Sequence, residues 1–290
     1  MERQDNIRIA CVIITYHPDE QVYDNLRSLS QLKRIFVLDN TEAPLDEFAA
    51  RLLEFPNVSF IHDGINKGIG ARLNQAAGLA SDEGYGWLLT MDQDSFFGPG
   101  ILQNYIGCML DYPQIDEVAM FGVSFTTPAT AERACSSKKD SILITSGSMV
   151  NLSLFEKVGK FDEWMFIDLV DTEFCLRIRR LKYQCIQFGN IVLDHQLGTT
   201  LQRRSLKDLA LSSRVVHSPF RMFYMVRNYF YVRDMYKREF PSEITGFRAD
   251  LINRVKNNLL YGKHRFSTLG KVIAGYRAFT RDRKKRDRAK

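Results

Sequence analysis

The chain has 290 residues, of which 45% are hydrophobic and 26% charged, and its formal net charge is +6. This composition is typical of a folded globular protein and excludes a disordered chain. No apolar run approaches the ~20 residues that a membrane-spanning helix needs, and the polar residues 1–6 do not resemble a secretory signal.

The first hundred residues alternate short apolar runs with helical patterns. Predicted strands cover residues 9–14, 34–38, 58–61 and 87–91, with helices between them. The alternation predicts an α/β fold with right-handed crossovers and a mostly parallel, Rossmann-like central sheet flanked by helices. Ligands bind beyond the carboxyl ends of the strands in such sheets, where this chain has Thr15, Tyr16, Asp39, Asp63 and Asp92.

Beyond Gly100 the pattern is less regular. It predicts a helix at 101–110, strands at 118–123 and 142–150, a helix at 170–181, and short strands at 184–188 and 191–193. The polar residues 124–140 form a long loop, and the chain has a helical pattern from Leu201 onward. We therefore expect an α/β domain over residues 1–200 and a helical C-terminal extension over residues 201–290.

The sharpest motif is Asp92-Gln93-Asp94, which directly follows the fourth predicted strand. Two carboxylates at one sheet edge suit a hard cation such as Mg²⁺ or Mn²⁺, which often bridges a carboxylate to substrate phosphates. An exposed acidic turn is the alternative interpretation. His195, at a later strand end, is either a third metal ligand or phosphate contact, or a structural histidine.

A second acidic group, formed by Asp168, Asp171 and Glu173, lies at the start of the helix predicted at 170–181. Glu173 and Arg177 have i, i+4 spacing, which favours a simple ion pair. Asp171 is either a residue favoured by the helix dipole or a general base that removes a hydroxyl proton.

Residues 66–74 (NKGIGARLN) form a glycine-rich turn that leads into a helix. A helix N-terminus suits a phosphate or carboxylate, and Asn66 and Arg72 are the polar candidates. The pattern is neither GxGxxG nor a Walker motif. Close helix–sheet packing explains Gly70 and the neighbouring alanines equally well.

The five cysteines are scattered and form no CxxC, so we expect no disulfide framework or zinc site and a cytoplasmic location. The basic tail at 281–290 predicts a solvated end or peripheral contact with the inner face of the cell membrane. Nothing resembles a nucleic-acid-binding module, so nucleic acid is not an expected partner.

Taken in order, several short motifs resemble the family 2 glycosyltransferases, most closely their rhamnosyltransferase-like branch. They are VIITYHP (12–18), VLDN (37–40), NKGIG (66–70), LLTMDQDS (88–95), ITSGS (144–148), GKFDE (159–163), FIDLVDTEFCLR (166–177), DH (194–195) and YMVRN (224–228). The resemblance covers about residues 7–235.

The resemblance implies a GT-A fold and an inverting, metal-dependent transfer by a single in-line displacement. It assigns the nucleoside to Thr15, Tyr16 and Asp39, the donor to Asn66 and Arg72, the metal and diphosphate to Asp92, Asp94 and His195, and base catalysis to Asp171. Val170 stands where many members have a glutamate, so a neighbouring acidic role is missing from this chain.

The favoured donor is dTDP-rhamnose, with a UDP-hexose such as UDP-galactose or UDP-glucose as the alternative. The acceptor would be a saccharide or lipid-linked saccharide in bacterial cell-surface polysaccharide synthesis, and residues 220–233 suit acceptor or membrane contact or helix packing. A sugar nucleotidyltransferase would need a glycine-rich phosphate loop after the first strand, which residues 15–18 lack. A non-catalytic nucleotide-sugar-binding or scaffold protein is the alternative from another class, against which the intact Asp92, Asp94 and Asp171 argue.

Overall fold

A computed structural model describes residues 7–125, 134–195, 200–204 and 211–288, with only the backbone at 195, 200–204, 211–215 and 284–288. The chain divides into two compact units. The first comprises Met1–Phe166 and Val170–Gln196, and the second comprises Ile167–Leu169 and Leu197–Lys290.

The first unit contains an eight-stranded sheet with the order β3-β2-β1-β4-β8-β6-β9-β7. Four of its seven strand pairings are parallel, and the fold class predicted from the sequence is confirmed. The strands of this unit, including the separate antiparallel pair β5 and β10, are β1 (Ile9–Thr15), β2 (Ile35–Asp39), β3 (Val58–Ile61), β4 (Trp87–Asp92), β5 (Ser95–Phe96), β6 (Val118–Ser124), β7 (Ser137–Lys139), β8 (Ser148–Asn151), β9 (Gln184–Val192) and β10 (Asp194–His195).

Helices flank this sheet, and their apolar sides fill the core. Every position of β2 is buried, as expected for a central strand covered on both faces. Asn151 caps α5 by accepting from the backbone N–H groups of Ser153 and Leu154 (3.1 and 3.3 Å), and left-handed Gly159 ends that helix. The helices are α1 (Gln21–Ser28), α2 (Asp46–Leu52), α3 (Ile69–Asp82), α4 (Ile101–Leu110), α5 (Leu152–Val158) and α6 (Val170–Arg180).

Two strand predictions differ from the structure. Of the strand predicted at 142–150, only the last part belongs to β8, because Gly147 makes a turn with φ of 74°. A Cβ there would lie 2.7 Å from a methyl carbon of Val123, so the turn requires glycine. The strands predicted at 184–188 and 191–193 are one strand, β9, whose pairing with β6 is irregular.

A disulfide joins Cys108 of α4 to Cys135 just before β7. The prediction that the cysteines form no disulfide is therefore wrong for this pair. The two residues are 27 positions apart in no recognisable spacing, so only the packing of α4 near β9 reveals the pairing. Cys11, Cys175 and Cys185 are buried free thiols.

The second unit begins with an antiparallel pair, β11 (Thr200–Arg204) and β12 (Leu211–Val215), so the prediction of helix from Leu201 is wrong for these residues. Three helices follow: α7 (Pro219–Tyr236), α8 (Pro241–Tyr261) and α9 (Arg265–Arg288). Asn228 of α7 donates to the carbonyls of Ile167 and Asp168, both at 2.8 Å, and so holds the short segment before α6 within this unit. Among the helices in the described ranges, none has the length and apolarity to cross a bilayer.

Candidate active site

The carboxyl ends of β1, β2 and β4 meet at one edge of the sheet. Thr15 is in register with Asp39, and Ile14 is in register with Asp92. Neighbouring strands are about 4.8 Å apart, so three of the residues singled out in the sequence lie side by side. The backbone N–H of exposed Tyr16 donates to Gln93 Oε1 (2.8 Å), which ties the end of β1 to the Asp92–Asp94 motif.

The Asp39 carboxylate is fully buried and accepts hydrogen bonds at both oxygens. Oδ1 accepts from the hydroxyls of Thr15 (2.7 Å) and Thr41 (2.9 Å), while Oδ2 accepts from the Thr41 N–H (2.6 Å) and contacts His62 Nδ1 (3.0 Å). A carboxylate contact at Nδ1 fixes the imidazole orientation and leaves Nε2 as the other polar atom. Both oxygens of Asp39 are therefore engaged within the protein, and His62 is the less buried of the two residues.

His62 was not singled out in the sequence. It follows β3 directly, so the rule that placed Asp39 and Asp92 at strand ends applies to it equally. Its ring stacks on Phe60 with centroids 6.0 Å apart and an interplanar angle of 7°.

Arg72 is fully buried, and each of its five N–H groups is engaged. Its hydrogen bonds to Asp63 hold the pKa of that carboxyl well below its usual range, with Lys67 adding to the effect. The guanidinium therefore connects the end of β2 to the loop before α3, and none of its N–H groups remains available to a bound ligand. Its acceptors are Asn40 Oδ1, Gln75 Oε1, both Asp63 carboxylate oxygens, and the carbonyls of Asp39 and Ile65.

The glycine-rich turn packs against the segment that precedes α6. The N–H of Ile69 donates to the Phe166 carbonyl (2.7 Å), so protein oxygen already occupies this part of the α3 N-terminus. Gly68 has φ of 80°, and a Cβ there would lie 2.6 Å from the Phe166 carbonyl oxygen. At Gly70 a Cβ would lie 3.2 Å from the Asp162 carbonyl oxygen. Gly68 and Gly70 therefore lie against the segment 162–166 and not against the sheet, and Asn66 accepts from the Gly68 N–H (3.1 Å) to shape the turn.

Asn74, one turn further along α3, fixes the same segment. Its Nδ2 donates to the Phe161 carbonyl (3.0 Å) and to Glu163 Oε1 (2.8 Å), and its Oδ1 accepts from the Phe161 N–H (2.9 Å). Because α3 is also bound to the end of β2 through Arg72, one helix connects the carboxyl end of β2 to the residues before α6.

Asp171 lies in the first turn of α6 and is partly buried. Its Oδ1 accepts from the Thr172 N–H (2.7 Å) and hydroxyl (3.3 Å). Glu173, in contrast, is buried and forms a bidentate pair with Arg177 at 2.6 and 3.0 Å, so the ion-pair interpretation of Glu173 is confirmed.

The residues just before α6 have an unusual backbone. Phe166, Asp168 and Leu169 have φ of 62–64°, a left-handed conformation that residues other than glycine rarely adopt. Such residues cluster at functional sites, where the surrounding contacts hold them in place. This cluster lies immediately before Asp171 in the chain.

One short segment links the two acidic groups. At its end, the Asp92 N–H donates to Ser146 Oγ (3.2 Å), whose hydroxyl donates to Ser95 Oγ (2.8 Å). At its start, the Leu143 N–H donates to the sulfur of Cys175, one helical turn after Asp171 (3.4 Å). Only three residue steps, at most ~10 Å of chain, separate the two ends. This segment therefore connects the Asp92 motif to the middle of α6, one helical turn beyond Asp171.

The backbones of Asp94 and His195 lie close together in space. In the β5–β10 pair, His195 is in register with Ser95, the residue directly after Asp94. The His195 side chain lies outside the described residues. Among the side chains that the structure describes, no group of three His, Cys, Asp or Glu could hold a metal ion.

Asn25 of α1 also contacts the Asp92 motif and was missed in the sequence. Its Nδ2 donates to the Asp92 carbonyl (2.9 Å), and the side chain is almost fully buried. The sequence signal that could have identified Asn25 is its position as a polar amide on the apolar face of α1, which Val22 and Leu26 define.

An α/β sheet that collects polar and acidic side chains at the carboxyl edge of its strands has the ligand-binding arrangement of α/β enzymes. The chain belongs to glycosyl transferase family 2, whose family model matches residues 11–156, half of its length. It is therefore a glycosyltransferase, as the resemblance predicted.

The comparisons with known proteins agree with this assignment. The chain is 29% identical over 252 residues to the dTDP-rhamnosyl transferase RfbF of Shigella flexneri, covering 78% of this chain and 79% of that protein. Its fold is similar to the crystal structure of S. aureus TarS 1-349, with a TM-score of 0.55, 12% identity, and coverage of 93% of this chain and 81% of that chain. A second TarS structure gives a TM-score of 0.53 at 13% identity over 89% of this chain and 46% of that chain.

Proposed function

We propose that this glycosyltransferase transfers L-rhamnose from dTDP-rhamnose to a hydroxyl of a saccharide or lipid-linked saccharide acceptor in bacterial cell-surface polysaccharide synthesis. The observation that carries the donor assignment is the 29% identity to a dTDP-rhamnosyl transferase along 79% of that protein's length. A UDP-hexose is the alternative donor.

Asp171 is the proposed general base. It is partly buried at the start of α6, and its hydrogen bonds from Thr172 orient the carboxylate. In an inverting transfer, the acceptor oxygen attacks the anomeric carbon while the bond from that carbon to the diphosphate oxygen breaks. The hydroxyl proton passes to Asp171, and the nucleoside diphosphate leaves with the electron pair on the opposite side of the sugar.

The residues around Asp94 fit a divalent cation, Mg²⁺ or Mn²⁺. Such ions take one or two protein ligands together with diphosphate oxygens and water, so an Asp94–His195 pair suffices without a third protein ligand. The register of His195 opposite Ser95 supports that pair. When bound, the cation supplies Lewis-acid stabilisation of the negative charge on the diphosphate. Asp92 contacts the donor phosphates or ribose from the adjoining position.

The nucleoside is assigned to the edge formed by Thr15, Tyr16 and Asp39. Since Thr15 and Asp39 are fully buried, they act by positioning their neighbours, and the exposed Tyr16 ring and the less buried His62 ring present the contact surface. Asn66 and Arg72 act in the same indirect way, by fixing the turn between this edge and the Asp171 segment.

Two substitutions test the assigned roles. Asp171→Asn keeps the size of the side chain but removes the base, so transfer should fall by roughly 10²–10⁴-fold while donor binding is retained. Asp24→Asn, the same change at an exposed aspartate of α1, is the control and should leave transfer unchanged. Turnover of Asp171→Asn at the wild-type rate would show that another group accepts the proton.

Asp94→Ala should weaken metal-dependent donor binding. The measurement is a thermal-shift panel with dTDP-rhamnose, UDP-galactose, UDP-glucose and a GDP-sugar, each with and without Mn²⁺. Donor at 100 times its dissociation constant stabilises the protein by about 2.7 kcal/mol, which the panel detects readily. Stabilisation by a UDP-hexose and not by dTDP-rhamnose would overturn the donor assignment. Donor binding by Asp94→Ala with the same affinity and the same Mn²⁺ dependence as wild type would overturn the metal assignment.

The enzyme is further proposed to be cytoplasmic with peripheral contact at the inner face of the cell membrane, where a lipid-linked acceptor would be presented. The basic residues of the C-terminal helix support this location through attraction to anionic lipids. The Cys108–Cys135 disulfide argues against the cytoplasmic part of this proposal, because a reducing compartment disfavours disulfides.

A further inference from the structure

Helix α9 carries an exposed row of large apolar side chains. Phe266 is 91% exposed, and Leu269, Ile273 and Tyr276 are 44–47% exposed. Their spacings of three, four and three residues place all four on one side of the helix, over almost three turns. An exposed apolar row of this length is unusual in a protein surrounded by water and marks an interaction surface.

Most of the row lies away from the side of α9 that packs in the fold, while the Tyr276 ring at its end also contacts the Phe230 ring of α7, with centroids 4.8 Å apart. Thr268, Ala278 and Phe279 are buried, and the Phe279 ring lies 5.7 Å from the Phe230 ring of α7. At Gly275 a Cβ would lie 2.5 Å from the Phe223 carbonyl oxygen, so α7 and α9 approach closely there. At 100° per residue, this packed side is centred about 140° around the helix axis from the exposed row.

The charge of α9 is strongly positive. The sequence of α9 contains nine Lys and Arg residues and only two Asp, and this excess exceeds the net charge of +6 of the whole chain. Arg265, Lys271 and Arg277 are exposed along the same three turns as the apolar row. A pocket of about 340 Å³ lies at the start of the helix, where Lys263 and Arg265 are next to apolar side chains. It is lined by Leu260, Tyr261, Gly262, Lys263 and Arg265.

We propose that Phe266, Leu269, Ile273 and Tyr276 form a membrane-contact face, with which α9 lies in the surface of an anionic lipid bilayer. An apolar side flanked by Lys and Arg is the pattern of an interfacial helix, whose apolar residues enter the headgroup region while its cations attract anionic lipids. The three–four–three spacing also suits pairing with a second copy of α9. Such pairing would bring two strongly cationic helices together, whereas an anionic bilayer complements them. Nucleic acid is also a poor partner for this face, because its phosphate backbone offers no apolar surface to the row.

The membrane-contact face gives a structural basis to the membrane contact proposed above and does not depend on the donor or on Asp171. It is tested with the full-length protein by co-sedimentation with vesicles of equimolar phosphatidylglycerol and phosphatidylcholine, and with vesicles of phosphatidylcholine alone. Wild type should bind the anionic vesicles at least roughly tenfold more tightly than the neutral ones, and 1 M salt should weaken that binding.

The double variant Phe266→Ser/Ile273→Ser should lose at least about tenfold in affinity for the anionic vesicles. Leu53→Ser, which removes an 85% exposed leucine of the first unit, is the matched control and should bind like wild type. A charge-reversal variant, Arg265→Glu/Arg277→Glu, keeps the apolar row and should also lose affinity, which tests the electrostatic part separately.

Anionic-vesicle binding by the double variant equal to that of wild type would overturn the membrane-contact face, as would failure of wild type to bind these vesicles. Light scattering after size exclusion tests the alternative occupant. A wild-type dimer that dissociates in the double variant would assign the apolar row to a second copy and overturn the proposal. Rhamnosyl transfer to a soluble acceptor, measured without vesicles, should be the same in the double variant and in wild type. Absence of this transfer in wild type would show that the proposed reaction is wrong, and it is observed independently of vesicle binding.

Discussion

Gly68 offers the sharpest test of how the site is assembled, because α3 contacts the segment before α6 at this residue. Its backbone has φ of 80° and ψ of 171°, a region that only glycine populates readily. In Gly68→Ala the new Cβ would lie 2.6 Å from both the carbonyl oxygen and a ring carbon of Phe166. Since one of these atoms belongs to the backbone, a rotamer change alone cannot relieve the overlap.

The expected destabilisation has two parts. The backbone conformation costs about 1–3 kcal/mol for a residue other than glycine, and displacement of the Phe166 segment adds about 1–3 kcal/mol. A total of about 4 kcal/mol corresponds to a decrease in Tm of about 7 °C for a protein of this size. Transfer by the folded variant should also decrease, because the displaced segment leads directly into the helix that carries Asp171.

The matched control is Gly78→Ala in the same helix. A Cβ there has no neighbour within 4 Å, and Gly78 is exposed with no positive φ, so the change should stabilise the helix by up to about 1 kcal/mol. Unfolding is followed by circular dichroism for both variants and the wild type, and kcat is measured below the Tm of each. Equal stability of the two variants would refute the close approach of α3 to Phe166.

Two further predictions concern the covalent and pH-dependent stability of the chain. Cys108→Ser should destabilise the oxidised protein by about 3.5 kcal/mol, which is the chain-entropy value for a 27-residue loop. A reductant should lower the Tm of wild type but not of the variant. An unchanged Tm of wild type on reduction would contradict the Cys108–Cys135 link. Burial, with Arg221 and Arg254 nearby, lowers the pKa of His217 to about 4, so the unfolded chain takes up this proton first as the pH falls below about 6.5. The free energy of unfolding should therefore decrease between pH 6.5 and pH 4, by about 2 kcal/mol after allowance for the partial exposure of the side chain. Urea unfolding of His217→Gln should lack this part of the decrease. Identical pH profiles of the variant and wild type would contradict the burial of a neutral imidazole.

The sequence predicted the sheet edge well because strand ends follow from apolar periodicity alone. Once β1, β2 and β4 are recognised as parallel strands, Thr15, Asp39 and Asp92 must meet at one edge, whatever the rest of the chain does. The i, i+4 pairing of Glu173 with Arg177 is equally local, since it needs only the helix that carries both residues.

The sequence was less informative wherever a side chain acts through a distant partner. The family resemblance assigned Arg72 to the neighbourhood of the donor, and the structure surrounds it with six acceptor atoms from the end of β2, from α3 and from the loop that precedes α3. The glycine-rich turn likewise has the appearance of an anion site until Phe166, about one hundred residues later, is found to occupy its N-terminal N–H.

What the amino-acid sequence determined by itself is the periodic part of this protein: the strands and helices of the α/β sheet, the position of the Asp92–Asp94 motif at a strand end, and the absence of long apolar runs. These follow from interactions between residues a few positions apart. Only the tertiary structure decided that Leu143 to Ser146 connect the middle of α6 to Asp92, that Cys108 meets Cys135, and that residues 200–204 pair with residues 211–215. The first two contacts join residues far apart in the chain, and the energies of all three depend on packing that no local pattern encodes.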